Sequence, residues 1–558
     1  MKIMPLNVIS VGFCMTLFSI FAQADSLDRP NVLVVLLDDL GIGQFAPLLT
    51  DLSESEMDPA FVEYVAGMKY GSYTPKEALV AAKKAMPTMC RLSKEGLLFT
   101  RAFSASPLCG PSRCGLATAI HPNRFGIYNN DDVHVGEGVL PPSKLLMPRF
   151  KEAGYATAHF GKWHLGPLDK SLSTTVLKTH GLSAQTNVYD LKKVNPAVYQ
   201  ELNNIGFYGS VPAALNPLNN GFETYYGYNC HESPFYDAWN VWDGFEFAGQ
   251  QKGYNTEVFT EKALDFMDAA NRRGKPFFIN LHLHATHGPM FPNPPGAYLQ
   301  GFEDNTPIIK NYYSHIFAVD ESIRRITETL EENGQLKNTL IVFTSDNGAA
   351  ASTESPLPGN APHRGHKAQY AQGGIRVPLV ISWPARIRAG RVCRELVSLL
   401  DIMPTAMDAA GLAVPAGLDG RSLLPLIQGE AQEPHTYLAW LGFESRGWGF
   451  LKETGFQALP NAAREPGSWT VVTDDWVLRF TGKIPRGLYR DSPEGKSAGV
   501  ALYSVKDDPL ELENVADRYP ERVSMLSGFA AQHAAKTESP QRWNRKKWQE
   551  LKESLNAK

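Results

Sequence analysis

The chain has 558 residues, 43% apolar and 20% charged, with a formal net charge of −4. That is an ordinary globular composition, long enough for one large domain and a smaller one. It excludes a disulfide-framework miniprotein and gives no global electrostatic reason to bind nucleic acid or sulfated polymers, so any anion site must be local.

Residues 1–24 read as a secretory signal. Lys2 gives a positive start, Val8 to Phe21 form the apolar stretch, and Ala22-Gln23-Ala24 fits the small-x-small cleavage pattern. The mature chain is therefore expected to begin at Asp25, in the periplasm or outside the cell. The run is too short for a membrane span, no later segment reads as transmembrane, and Cys14 does not sit in a lipoprotein-type box. Cys90, Cys109, Cys114, Cys230 and Cys393 remain. Their odd number leaves at least one thiol unpaired or modified, and Cys109 is the natural candidate.

Asn31–Leu37 is a continuous apolar run that reads as a buried parallel strand ending in Asp38-Asp39. Residues 46–85 are more polar and are expected to form a surface insertion with a helix near Lys76–Lys84. Met86–Gly96 reads as a helix and Leu97–Phe103 as a strand leading to Cys109-Gly110-Pro111-Ser112-Arg113. A helix begins there, and helix N-termini favour anions. Leu145–Glu152 reads as a helix. Tyr155–Phe160 reads as a strand ending in Gly161-Lys162-Trp163-His164. Residues 167–218 show no clear period and are expected to be a long functional loop. Thr256–Ala270 has a helical pattern, and Phe277–His284 is a strand before Ala285-Thr286-His287. Ile316, Val319, Ile323, Ile326 and Leu330 mark an amphipathic helix, closed by Asn333-Gly334. Thr339–Thr344 is a strand ending in Ser345-Asp346-Asn347-Gly348. Val377–Ser382 is another, and Asp401–Ala410 reads as a helix. Beyond about Gly429 the texture changes. Residues 469–480 and 500–504 read as antiparallel strands, Pro520–Gln532 as a helix and Gln541–Lys558 as a charged helical tail.

The alternation predicts a doubly wound α/β domain with a large mixed, mostly parallel sheet. A smaller C-terminal α+β domain with an antiparallel sheet should follow. The expected boundaries are 1–24, 25–430 and 431–558. The clusters Asp38/Asp39, Lys162/His164, His287 and Asp346/Asn347 all follow apolar strands, where open parallel sheets bind ligands. Asp38, Asp39, Asp346 and Asn347 are hard oxygen donors suited to Ca²⁺ or Mg²⁺. Arg113, Lys162 and Lys367 could neutralise a tetrahedral anion. His164 and His287 are candidate proton carriers.

These residues spell a family pattern. From about Pro30 to Gln532 the chain resembles the type I, formylglycine-dependent sulfatases of the alkaline phosphatase-like superfamily. Cys109-Gly110-Pro111-Ser112-Arg113 matches the Cys-x-Pro-Ser-Arg modification motif. Asp38-Asp39, Gly161 to Gly166, His287, Ser345 to Gly348, Lys367 with Gly373 to Pro378, Asp401 with Pro404-Thr405, and Leu502-Tyr503 to Asp508-Pro509 follow in family order. The resemblance implies a sulfuric ester hydrolase in which Cys109 is oxidised to formylglycine by a maturating enzyme. It implies that Asp38, Asp39, Asp346, Asn347 and the modified Cys109 hold one Ca²⁺, with Mg²⁺ the second choice. It assigns Arg113, Lys162 and Lys367 to formylglycine and sulfate, and His287 and His164 to proton transfer beside the substrate. Three positions depart from the pattern: Ile120 replaces a late Arg, Gln372 a Glu and Thr286 a Pro.

For the substrate, Tyr225, Tyr226, Tyr228, Phe235, Tyr236, Trp239 and Trp242, with His231, Glu232 and Asp237 between them, suit sugar rings. Trp440 and Trp448 could extend that wall, and Arg124, Asp131, Asp132 and His134 could reach the substrate. A sulfated carbohydrate such as carrageenan or ulvan is the expected substrate, with no nucleic acid or membrane partner. The alternatives are an arylsulfatase, a phosphonate or phosphate ester hydrolase on the same scaffold, and a non-catalytic sulfated-glycan-binding protein.

Overall fold

All seven residues of strand β1 (Asn31–Leu37) are buried, as its unbroken apolar sequence requires of a strand covered on both faces. Leu33, Val35 and Leu37 pack into one core and Val32, Val34 and Leu36 into another. The computed structural model describes residues 29–66, 73–135, 140–230, 232–351, 354–431, 433–442, 468–481 and 499–539. The expected signal segment, the charged tail, His231, Trp448 and the side chains of Asp131 and His134 lie outside the described residues.

Ten further strands join β1: β2 (Leu97–Phe103), β3 (Ala156–Lys162), β4 (Thr224–Tyr228), β5 (Trp242–Asp243), β6 (Glu246–Phe247), β7 (Phe277–His282), β8 (Thr339–Ser345), β9 (Arg376–Ser382), β10 (Arg391–Cys393) and β11 (Val397–Ser398). The spatial order is β10-β2-β9-β8-β1-β7-β3-β4-β5-β6, with β11 also on β2. The central run β8-β1-β7-β3 is parallel throughout. β9 runs antiparallel to β2 and β8, so the sheet is mixed as expected.

Helices cover both faces. The main ones are α1 (Pro75–Lys84), α2 (Pro87–Glu95), α3 (Cys109–Thr118), α4 (Lys170–Thr179), α5 (Pro196–Asn204), α6 (Asn255–Arg272), α7 (Pro307–Glu332) and α8 (Ile402–Ala409). α1, α2, α6 and α7 pack on one face of the sheet, and α3 and α8 on the other.

Two segments differ from expectation. Residues 46–85 are not a surface insertion. Leu49, Leu52, Met57 and Tyr73 are buried, and α1 turns Ala78, Ala81 and Ala82 into the core. Small apolar residues spaced along a polar helix hide that face from a composition reading. Residues 167–218 are not irregular either. They contain α4 and α5, and build their own small core from Leu177, Val198, Leu202, Phe207 and Tyr208. All five cysteines among the described residues are free thiols.

Four strands, β12 (Leu438–Gly442), β13 (Ser468–Val472), β14 (Trp476–Thr481) and β15 (Gly499–Ser504), form an antiparallel sheet. The helix α9 (Pro520–Ala535) packs on it through Leu526, Ala530 and Ala534. This unit leans on the main body through Trp440, Phe103 and Tyr370. Among the described residues no helix is long and apolar enough to cross a membrane.

After α9 the chain braces the loop that follows α3. Tyr128 Oη donates to Glu538 O (2.7 Å), and the His121 and His533 rings meet edge to face at 4.4 Å. Burial holds both imidazoles below their ordinary value of 6.5, His533 at about 4. A depressed folded-state pKa gives stability that is complete above pH 6.5 and is lost as pH falls toward 4. His533 alone should cost roughly 3 kcal/mol across that window. Denaturant melts between pH 7 and 4 should show the loss, and His533→Gln should flatten the slope. An unchanged slope would contradict a neutral buried pair.

Candidate active site

The parallel run β8-β1-β7-β3 delivers its polar residues to one edge of the sheet. Asp38 and Asp39 follow β1, Asp346 and Asn347 follow β8, Lys162 ends β3 with His164 just beyond, and His287 follows β7. Asp39 and His164 adopt left-handed backbone, with φ of 65° and 54°. Side chains other than glycine hold that conformation where the surroundings over-determine it, a common feature of active sites.

One buried cluster results. Ligand atoms of Asp38, Asp39, Asp346 and Cys109 lie within 4.8 Å of one another. Arg113 points its guanidinium along the cluster floor. Its Nε donates to Asp346 Oδ2 (3.0 Å), its Nη2 lies 2.8 Å from the same oxygen, and Nη2 reaches Asp38 at 3.6 Å. Lys162 Nζ pairs with Asp38, and Lys367 Nζ donates to Asp39 Oδ2 (2.8 Å). Asn347 Nδ2 donates to Asp39 Oδ1 (2.7 Å).

The charges follow from this packing. Burial opposes ionisation of Asp38, yet the charges of Lys162 and Arg113 hold it well below the carboxylate range. Burial and then the Asp38 charge push Asp346 up to about 7. Against burial, Asp39 keeps Lys367 well above the usual lysine range. Burial lifts the Cys109 thiol to about 12 despite Lys162 and Lys367. His287 Nδ1 lies 2.6 Å from Gly288 O, so Nδ1–H donates there and Nε2 faces Asp39 Oδ2 at 3.8 Å. Burial, then Lys367, hold His287 well below its ordinary value.

The residues fit a hard cation. Asp38 Oδ1 and Asn347 Oδ1 are buried oxygens that accept no hydrogen bond among the described residues. Such acceptors are costly unless a donor or a cation completes them. Three carboxylates and an amide oxygen suit Ca²⁺ or Mg²⁺ far better than a soft metal.

The three divergent positions are accounted for locally. Thr286 Oγ1 donates to Asp39 O (3.1 Å) and lies 2.9 Å from Tyr312 Oη, tying the Asp38-Asp39 turn to α7. Gln372 Oε1 accepts from Arg376 (2.9 Å). The nearby carboxylate is Glu511 of the C-terminal unit, which accepts from Gln372 N (3.3 Å) and pairs with Arg479 (3.1 Å). Ile120 is buried, and its N–H donates to Thr118 Oγ1 (3.1 Å), which closes α3 from within.

The expected sugar wall is largely core. Tyr225, Tyr228 and Phe235 are buried. Trp440 is buried too, its Nε1 donating to Ser104 O (2.9 Å). β4 and the loop after it face the sheet's own core, and an aromatic count cannot tell that face from a pocket. Tyr236, Trp239 and Trp242 are half-buried, and Glu232 and Asp237 are exposed. Arg124 pairs with Asp419 (3.0 Å), and Asp132 accepts from Tyr128 N and Asn129 N, so both brace the chain locally. Sequence reasoning passed over His282 and His284. The available signal was two histidines at alternate positions ending an otherwise apolar strand.

Carboxylates, ammonium groups and imidazoles gathered at one sheet edge suit the hydrolysis of an anionic ester. The family model described as Sulfatase matches residues 30–412, and the chain belongs to that family. It is a sulfuric ester hydrolase. It is 28% identical over 549 residues to the uncharacterized sulfatase YdeN of Escherichia coli K12, covering 95% of this chain and 90% of that protein. It is 28% identical over 544 residues to human N-acetylgalactosamine-6-sulfatase, covering 90% and 85%. The crystal structure of Ps i-CgsB in complex with k-i-k-neocarrahexaose superposes with a TM-score of 0.66 at 20% identity, over 95% of this chain and 98% of that one. That likeness is one of fold: a large α/β sheet domain of the alkaline phosphatase-like type.

Proposed function

We propose that this sulfatase desulfates a carbohydrate, with Cys109 converted to formylglycine and Ca²⁺ held by Asp38, Asp39, Asp346 and Asn347. The observation that carries the reading is the Cys109 thiol itself. It stands in the middle of the carboxylate and ammonium cluster, yet at about 12 it stays protonated at neutral pH. A thiol is a nucleophile only as its thiolate, which burial disfavours here, and the Cys109-Gly110-Pro111-Ser112-Arg113 sequence at the head of α3 supports a nucleophile made from this residue by oxidation. Formylglycine would supply a hydrated aldehyde, whose two hydroxyls on one carbon offer both a nucleophile for sulfur and a way for sulfate to leave by C–O cleavage. Ca²⁺ would supply charge stabilisation at the sulfuryl oxygens.

The chain's own residues do the rest. Arg113 holds the floor of the site against Asp38 and Asp346. Lys162 and Lys367 bring two ammonium groups to the sulfate. His287 exchanges its proton at Nε2, because Nδ1–H is committed to Gly288 O. The negative charge of a sulfate monoester beside Nε2 opposes the burial and the Lys367 charge that keep the ring neutral. His287 can then protonate the departing alcohol oxygen, and His164 assists release of sulfate. His287→Ala should lower kcat by about 10²–10⁴-fold, and least for a nitrophenyl ester, whose leaving group needs no proton. Equal losses on sugar and nitrophenyl esters would remove His287 from the leaving-group step.

The carbohydrate reading draws support from two neighbours of the same fold. One is described with k-i-k-neocarrahexaose, the other, BT4656, with D-glucosamine-2-N,6-O-disulfate. Tyr236, Trp239 and Trp242 keep part of their surface outside the core, and aromatic side chains of that kind can pack on a sugar. Periplasmic or secreted placement and separate domains at 25–430 and 431–558 fit this reading. The test is a screen of sulfated oligosaccharides, carrageenan- and ulvan-derived among them. Free sulfate is measured and the desulfated carbon mapped by NMR. Turnover of aryl esters with none of any oligosaccharide would overturn the carbohydrate assignment.

A further inference from the structure

Behind Arg113 lies a buried pair of imidazoles that the reaction as described does not use. His282 ends β7 and is 4% exposed; its backbone pairs with Leu36 of β1 and Gly161 of β3. Its Nδ1 stands 3.3 Å from Arg113 Nη1 and 3.2 Å from Lys162 O, and Nη1 itself donates to Lys162 O at 3.1 Å. Three polar atoms thus meet at one node directly beneath the carboxylates.

We propose that His282 is a positioning residue for Arg113, accepting from its Nη1 at Nδ1 and so fixing the plane of the guanidinium. A guanidinium has only donors, so a hydrogen bond between the two requires a bare Nδ1 and places the His282 proton on Nε2. The 3.2 Å approach of Nδ1 to Lys162 O is then a contact without a hydrogen bond, that oxygen accepting instead from Arg113 Nη1. Nε2 has no hydrogen-bond partner among the described residues, and the His159 ring meets His282 edge to face at 4.8 Å and 81°. Burial holds both rings below their ordinary values, His159 at about 3, so neither places a charge against Arg113.

The consequence is geometric. Arg113 reaches Asp346 through Nε and Nη2 while Nη1 is pinned from behind by His282 and Lys162 O. A guanidinium free to swing would lose the fork that balances Asp346 and Asp38. Neighbours behind a metal site commonly carry 10–100-fold effects on affinity or rate.

The inference rests on the role given to Arg113, and the experiment separates the two. His282→Asn places an acceptor near the position of Nδ1, whereas His282→Gln places one near Nε2, and His282→Phe keeps the ring without a nitrogen. We expect His282→Phe and His282→Gln to lose roughly 10–100-fold in kcat with KM within about twofold, and His282→Asn to recover most of it. Calorimetric titration of metal-free protein with Ca²⁺ alone should rank the variants in the same order. If all three lose alike, or if none loses, the positioning role is wrong and the site reading stands. Should His282→Phe fail to fold, the order of Asn over Gln still decides. Arg113→Ala runs alongside: undiminished turnover there would overturn both the inference and the assignment of Arg113.

Discussion

Replacing Cys109 by alanine is expected to cut turnover by roughly 10⁴-fold or more, since it removes the precursor of the nucleophile. Cys109→Ser should fail in a more informative way. A hydroxyl held at the same place, beside Lys162 and Lys367, can still attack sulfur and displace the alcohol. It then carries a sulfate ester with no second hydroxyl on the same carbon, so the carbonyl cannot form and sulfate cannot leave by C–O cleavage. The expected result is one equivalent of alcohol released per protein molecule, no free sulfate, and an intact mass increased by one sulfuryl group. In the native protein, the peptide containing Cys109 should show an aldehyde in place of the thiol. Multiple turnovers by Cys109→Ser, or full activity from protein whose Cys109 is an unmodified thiol, would refute the formylglycine reading. The stability cost of these variants should be small, because the thiol makes no ion pair and the exchange barely changes side-chain volume.

Much of this site was legible before any coordinates. A parallel strand buried on both faces reads as an unbroken apolar run, and such a run ends abruptly where charge appears. Leu37 to Asp38, Phe160 to Lys162 and Thr344 to Asp346 all carry that edge, and the sheet order places those ends side by side. What stayed hidden depends on direction and distance. Tyr225 and Tyr228 lie in one aromatic stretch with Tyr236 and Trp239, yet the first two are core and the others half-exposed. Composition cannot register which face a β4 side chain takes. Glu511 meets Gln372 across more than a hundred residues, so no local pattern could pair them. The alanines of α1 look like surface helix until α7 is packed against them. His282 falls inside the expected Phe277–His284 strand, and its spacing from His284 does not mark it as a partner of arginine.

The same electrostatics make Asp38 and Asp346 unequal, although both are buried carboxylates in one cluster. Asp38 balances two buried cations, Lys162 and Arg113, which are 0% and 1% exposed in their side chains. Asp38→Asn leaves those charges without their counter-ion, and breaking a buried pair from one side typically costs about 3–5 kcal/mol. Asp346 already sits at about 7, raised by burial and by Asp38, so the metal-free protein carries it partly neutral near physiological pH. Asp346→Asn keeps an oxygen for Arg113 and should cost only about 1–2 kcal/mol. Denaturant melts in excess chelator should therefore rank wild type above Asp346→Asn and both well above Asp38→Asn. Adding Ca²⁺ should then stabilise the wild type in proportion to the logarithm of its concentration and leave both variants nearly unmoved, since each lacks a charged ligand. Equal stability of the two variants in chelator would mean that Lys162 and Arg113 do not depend on Asp38 for their charge balance. A Ca²⁺ response retained by Asp346→Asn would move the cation away from the end of β8.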